Sequence, residues 1–335
     1  MPAELWEIDP ITSSWIKRGS NETAHSPDWR EGWGEPVIVE NFEGTNGSAP
    51  NPELWWRRGL PASDFYLGNT DTQGIIKAEN SYLQDGELII KTERRADYYK
   101  PQPDAPKQRW YDTGYIDTMP RSGFSGAEQR YGRWEIQAHS LAPGVTAGIW
   151  SAFWLRTNQD GGEVDVFEHV GTPAGRGADG TTAGSWPYAS RWPDSGIRSQ
   201  AVFFEETGKT SNSPGQAYHE SRYDLPVPYN GWHTYAAEWT PDRFSCYCDD
   251  VLVGEIRRGQ RPTNGAGVQP TGPNANLDDG AKILDGGFGP GAKVHTRLDV
   301  HVGFPNVGEA SVLNTDSPHY MRYRKFRVWA WDGQE

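Results

Sequence analysis

The chain has 335 residues and a formal charge of −13. An acidic surface excludes nucleic acid and anionic membranes as expected partners, because both need a basic footprint, and no apolar run approaches the roughly 20 residues that span a bilayer. Glycine (39) and proline (25) are spread along the whole length beside 16 Trp, 15 Tyr and 11 Phe, which predicts many turns joining short, aromatic-rich strands around a large β core.

Residues 1–35 read as an N-terminal extension, in which ELWEID and SSWIKRG form two short β-like runs around a proline-containing turn. Met1–Glu7 leads straight into polar sequence and shows no signal peptide. A single main domain is expected over residues 36–335. Its predicted strands are Val37–Phe42, Gly86–Arg94, Tyr115–Thr118, Gly132–His139, Ile149–Arg156, Glu163–His169, Gln200–Phe204, His233–Trp239, Phe244–Asp249, Leu252–Arg257, Thr296–Val302 and Tyr320–Trp331. Most alternate apolar and polar residues, the mark of a half-buried strand. No long amphipathic helix and no internal repeat interrupts them. Four long polar stretches do: Ala96–Tyr111, Thr172–Arg198, Glu205–Asn230 and Gly259–Ala292. Stretches of that length inside a compact domain are expected to wall a binding site. Cys246 and Cys248 stand two apart in FSCYCDD, a poor geometry for a disulfide, and the pattern does not match a zinc site.

The chemistry concentrates in Gly148–Gly171, whose central piece is Glu163-Val-Asp-Val-Phe-Glu168. Side chains alternate along a strand, so Glu163 and Asp165 share one face and Val164 and Val166 the other. Strict alternation sends Glu168 to the valine side; one β-bulge near Phe167 would return it, and that bulge is predicted. Three carboxylates on one face repel each other, an arrangement that makes sense when one holds a proton while another is ionised. Retaining glycosidases use such a pair with carboxyl groups about 5–5.5 Å apart. An exposed acidic edge or a calcium site would also show three acids, and pattern alone leaves both open.

Gly162–Glu168 resembles the bulged E-x-D-x-x-E signature of glycoside hydrolase family 16. Around it, Tyr131-Gly-Arg-Trp-Glu135, Trp150-Ser-Ala-Phe-Trp-Leu155, Trp232-His-Thr-Tyr-Ala-Ala-Glu-Trp-Thr-Pro-Asp-Arg243 and the pair Asn80–Tyr82 and Asp85–Leu88 are similar to further motifs of that family, in the same order, over residues 36–331. The resemblance implies an all-β, concanavalin-like jelly roll of two curved antiparallel sheets with a cleft on the concave face. It also implies Glu163 as nucleophile, Glu168 as acid and then base, and Asp165 between them. Trp150 and Trp154, with Trp134, Arg191 and Trp192, are the expected substrate-binding residues, since sugar faces stack on aromatic rings.

The chain departs from the family in two places. Members often bind calcium through the first strand, where Glu40 and Asn41 would serve, and an aspartate on the last; Arg324 stands in that aspartate's place. A cation cannot ligate calcium, so no cofactor is expected to be required and the guanidinium is expected to pair with Glu40. The segments that mark many β-1,3-glucanases are replaced by Gln200–Phe204 and His301–Asn306. The expected activity is retaining, endo-acting hydrolysis of a polysaccharide, with β-1,3-glucan leading. The alternatives are a β-galactan hydrolase of the agarase, porphyranase or carrageenase kind, or a carbohydrate-binding adhesin or phage tail module on the same fold. A monomer at the cell surface or outside the cell is expected, with a phage virion as the other location.

Overall fold

A computed structural model describes residues 6–8, 15–17, 28–59, 74–99, 109–139, 149–157, 162–170, 199–205, 218–224, 232–258, 263–264, 284–302 and 318–333. Strands dominate them. Two short strands, β1 (Trp6–Ile8) and β2 (Trp15–Lys17), pair as an antiparallel hairpin, as expected for the two N-terminal β-like runs.

The larger sheet runs β18 (Thr263–Asn264), β17 (Val251–Arg257), β16 (Arg243–Cys248), β15 (Trp232–Trp239), β10 (Gly132–His139), β20 (His319–Ala330), β7 (Glu87–Tyr99), β8 (Arg109–Thr113) and β5 (Gly74–Ile76). Strand β3 (Ile38–Glu40) also pairs with β20, and β6 (Ser81–Gln84) with β7. The smaller sheet runs β14 (Tyr218–Asp224), β13 (Ser199–Glu205), β12 (Glu163–Val170), β11 (Ile149–Thr157), β19 (Val294–Val302), β9 (Tyr115–Asp117) and β4 (Trp56–Arg57). Every pairing but β5–β8 is antiparallel. Each strand predicted from alternation is present. Strands β8 and β14 fall at or inside stretches read as loops, because neither alternates cleanly: β14 is YHESRYD.

The core lies between the sheets. From the smaller sheet it takes Phe153, Leu155, Val164, Val166, Phe167, Leu298 and Val300; from the larger, Trp134, Ile136, Tyr235, Trp239, Phe244 and Phe326. Phe167 stacks at 4.5 Å on Tyr235 and at 6.1 Å on Phe153, so β12 is pinned across the sandwich by one ring. Burying a ring of that size contributes roughly 3 kcal/mol. Cys246 and Cys248 are both buried and free, as their spacing implied.

The outer face of the larger sheet is polar and covered. Arg133, 3% exposed, donates to Glu135 and Glu238. The segment Asp28–Gly34 lies over it: Arg30 donates to Glu135 at 2.7 Å, Trp33 Nε1 to Glu238 at 3.1 Å, and Asp28 accepts from Arg327. Part of the expected 1–35 extension is therefore tied to the main sheet by charge. Burial alone would raise the Glu135 carboxyl, but Arg133 and Arg30 outweigh it and hold it below the usual carboxylate range. A depressed carboxyl contributes stability that is present above its unfolded pKa and lost as the pH falls through its folded one. Glu135→Gln is expected to cost ~2 kcal/mol in urea unfolding at pH 7, because Arg133 and Arg30 lose the carboxylate they share while Glu238 still accepts from Arg133. The gap from wild type should close on acidification; a gap independent of pH would show that the pair is not the source.

Candidate active site

The predicted bulge is present in β12. Phe153 of β11 pairs with Phe167, yet the next residue, Trp154, pairs with Asp165, so Val166 is the extra residue. Val166 and Phe167 are consecutive and both fully buried, which strict alternation forbids. The register then sets Glu168 opposite Ala152, two residues before Trp154 on the same side of β11. The bulge thus returns position 168 to the outer face that carries Glu163 and Asp165. The Glu168 side chain lies outside the described residues.

The base of the β11–β12 hairpin is closed from within. Thr157 N–H donates to Gly162 O, and Gly162 N–H donates to Thr157 Oγ1 at 2.8 Å. A Cβ on Gly162 would sit 2.8 Å from the Gly287 backbone. Only glycine lets the chain pass there, one residue before Glu163.

Arg156, cross-strand partner of Glu163, donates to its Oε2 at 3.2 Å. Burial pushes the Glu163 carboxyl up, while Arg156 and Arg297 pull it down. Burial wins, so the carboxyl sits above its ordinary value, and the two guanidiniums limit the rise. Asp165 is also buried, at 9% exposure.

The rest of the floor comes from β19 and β9. His295, Arg297, Asp299 and His301 alternate with core residues, and His295, Arg297 and Asp299 are buried on the face turned from the core. A strand face merely washed by solvent would be exposed; this one is covered and polar. Trp154 lies on it and donates from Nε1 to Asp299 at 2.6 Å. The Arg297 guanidinium stands 4.4 Å over its ring, so one face of the indole is already occupied. Trp150 holds a position on the same side of β11, with its side chain outside the described residues. Arg191 and Trp192 lie wholly outside them.

Trp134 is a correction. It is 2% exposed and part of the core cluster, because β10 turns Trp134, Ile136 and Ala138 inward and Arg133, Glu135 and Gln137 outward. It has no face left for a sugar. Arg324 is a second correction. It donates to Gln137 and stacks at 4.1 Å on Trp232, while Arg327 reaches the first strand. The cause is an irregularity in β20 at Lys325, whose φ is +53°. Arg327 donates to Glu40 O at 3.0 Å and to Asn41 Oδ1. The Glu40 carboxylate accepts from Phe42 N–H at 2.6 Å.

Glu40 and Asn41 therefore do not fit a calcium ion: a fixed cation already holds two of their oxygens. Another group with metal-ligand chemistry among the described residues is His233, Cys248 and Asp249. There Asp249 already accepts from Thr234 N–H and meets His233 Nδ1 at 2.6 Å, and burial keeps the thiol protonated. We read it as a clamp on the β15–β16 hairpin.

With this geometry in place, the comparisons are decisive. Residues 117–276 match the model for glycosyl hydrolases family 16. That segment, which contains β12, carries the family 16 match, and the chain is a glycoside hydrolase. It is 24% identical over 245 residues to a beta-glucanase of Rhodothermus marinus, covering 70% of this chain and 68% of that one. The fold matches the catalytic domain of an endo-1,3-beta-glucanase (laminarinase) from Thermotoga petrophila, with a TM-score of 0.59 at 20% identity over 89% of this chain and 97% of that one. It also matches the laminarinase catalytic domain from Thermotoga maritima, at 0.58 and 21% over 90% and 99%. A structure described with endo-acting O-glycanases that initiate mucin breakdown gives 0.57 and 20% over 90% and 92%. The jelly roll expected from the motifs is the fold observed.

The site makes three predictions. Removing Arg156 removes a charge that favours ionised Glu163, so in Arg156→Met the acid limb of kcat/KM moves to higher pH; a limb that stays in place would separate Arg156 from the carboxylate. Chelator is expected to shift the melting temperature by less than about 1 °C, since Arg327 already holds the oxygens of Glu40 and Asn41 that an ion would need. Arg327→Ala is expected to cost ~3 kcal/mol by breaking a buried set of charge-assisted bonds. A large chelator effect would show that an ion is held after all.

Proposed function

We propose that this glycoside hydrolase is endo-acting and retaining, and that Glu163, Asp165 and Glu168 carry the reaction. The observation that carries the reading is the β12 bulge, which returns position 168 to the face of Glu163 and Asp165. Glu163 attacks the anomeric carbon from one side of the sugar. Glu168 protonates the departing glycosidic oxygen, and then takes the proton of the water that releases the glycosyl-enzyme. Asp165 stands between them and sets which of the two holds the proton.

A β-1,3-glucan is the proposed backbone, supported by the beta-glucanase relative and by the laminarinases that share the fold. Such a polymer is met outside a cell, which fits the proposed extracellular or surface location.

Wild type and Glu163→Gln should be compared by reducing-end release from laminarin, mixed-linkage glucan, agarose, porphyran, carrageenan and arabinogalactan. The expected result is cleavage of laminarin to shortened chains, lost by at least ~10⁴-fold in the variant, the scale of removing a catalytic group. Proton NMR of the fresh product should show the β-anomer first. An α-anomer first would overturn retention, near-normal activity of Glu163→Gln would overturn the nucleophile, and release confined to the galactans would replace the backbone.

A further inference from the structure

Three rows cross the smaller sheet, one for each carboxylate position of β12. Glu163 faces Arg156, which faces His295. Asp165 faces Trp154, then Arg297, then Asp117. Position 168 faces Ala152, then Asp299, then Tyr115. His295 thus stands two strands from Glu163, and the next residue on the same side of its own strand is Arg297.

His295 is 1% exposed and Arg297 7%. The imidazole Nε2 accepts from Arg297 Nε at 2.8 Å. An acceptor at that atom requires a neutral ring with its proton on Nδ1. The surroundings impose that state: burial, Arg297, Arg58, Arg156 and Arg121 push His295 down to about 2. Its Nδ1 is buried without a hydrogen-bond partner among the described residues. A buried N–H with no acceptor destabilises a fold, so the ring is a poor filler for this place. What it supplies is the acceptor at Nε2.

Arg297 has a use for that acceptor. Its guanidinium lies 4.4 Å over the Trp154 ring, a contact that sets its height above the indole and leaves it free to turn in its own plane. The bond at Nε stops the turning. The groups around the Glu163 carboxyl are Arg156 from β11, Arg297, Asp299 and His301 from β19, and Asp165 on its own strand. Glu205 holds the register position opposite it on β13, with its side chain outside the described residues, as is that of Glu168. Burial raises the carboxyl, Arg156 and Arg297 oppose the rise, Asp299 adds to it, and His301 opposes it.

We propose that His295 is a positioning residue for the hydrolysis: its Nε2 locks the Arg297 guanidinium over Trp154, where the charge supports the Glu163 carboxylate. The effect on turnover rests on Glu163 being the nucleophile; the effect on the carboxyl's own titration does not.

His295→Met tests it, because it exchanges one neutral side chain for another and changes no charge on the floor. Carbon-13 NMR of labelled glutamate, without substrate, follows the Glu163 carboxyl as the signal missing from Glu163→Gln. In His295→Met the titration should move to higher pH, since a loosened Arg297 favours the ionised form less. In the same variant kcat/KM should fall several-fold more on its acid limb than on its plateau. His295→Gln, whose amide oxygen can take the place of Nε2, should restore the wild-type titration. Arg297→Met should move it in the same direction, and the double variant no further than Arg297→Met alone, because one residue acts through the other. An unmoved titration in folded His295→Met, an equal shift in His295→Gln, or shifts that add in the double variant would overturn the role. Should His295→Met fail to fold, nitrogen-15 NMR of labelled histidine in the wild type decides. His295 should stay neutral with its proton on Nδ1 wherever the protein is folded, and a proton on Nε2 would overturn the proposal. Turnover of laminarin by Glu163→Gln reports separately on the nucleophile.

Discussion

The site depends on a single extra residue in β12. A strand delivers side chains to its two faces in strict turn, and no unbroken strand can put residues 163, 165 and 168 on one side. The bulge at Val166 breaks the turn-taking. What holds the bulge is the core: Val166 and Phe167 both go inward, and Phe167 is gripped by Tyr235 from the opposite sheet and by Phe153 from the neighbouring strand. The acidic face is thus set by packing on the other side of the same strand. Gly162 and Thr157 fix where β12 starts, so both ends of the count are determined.

The two outer faces handle charge in different ways. On the larger sheet Arg133 is matched against Glu135 and Glu238, and the Asp28–Gly34 segment adds Arg30 and Trp33 to the same acids. Each donor finds an acceptor, and the network is structural. On the smaller sheet Arg58 and Arg121 share Asp117, Arg156 reaches Glu163, and Arg297 packs on the Trp154 ring and donates to a neutral imidazole.

Much of this was legible in the residues. Alternation marked the strands, and the conflict between alternation and three acids marked the bulge. The same rule, applied to Arg133-Trp134-Glu135, would have sent Trp134 to the core. The polar half of Val294-His-Thr-Arg-Leu-Asp-Val-His-Val302 was equally readable, and it holds the floor that carries Arg297. Two features were out of reach. The exchange of Arg324 for Arg327 depends on a left-handed residue at Lys325, where a lysine has no local signal for that conformation. The partnership of Arg58 with Asp117 joins strands 59 residues apart in sequence, and nothing local announces it.

The Asp28–Gly34 strap has a practical consequence for handling the enzyme. It is anchored to the back of the sandwich, with the whole core between it and the carboxylates. A bead coupled at Asp28 itself would sit on the rear surface, and the side that carries Glu163 would point outward into the medium.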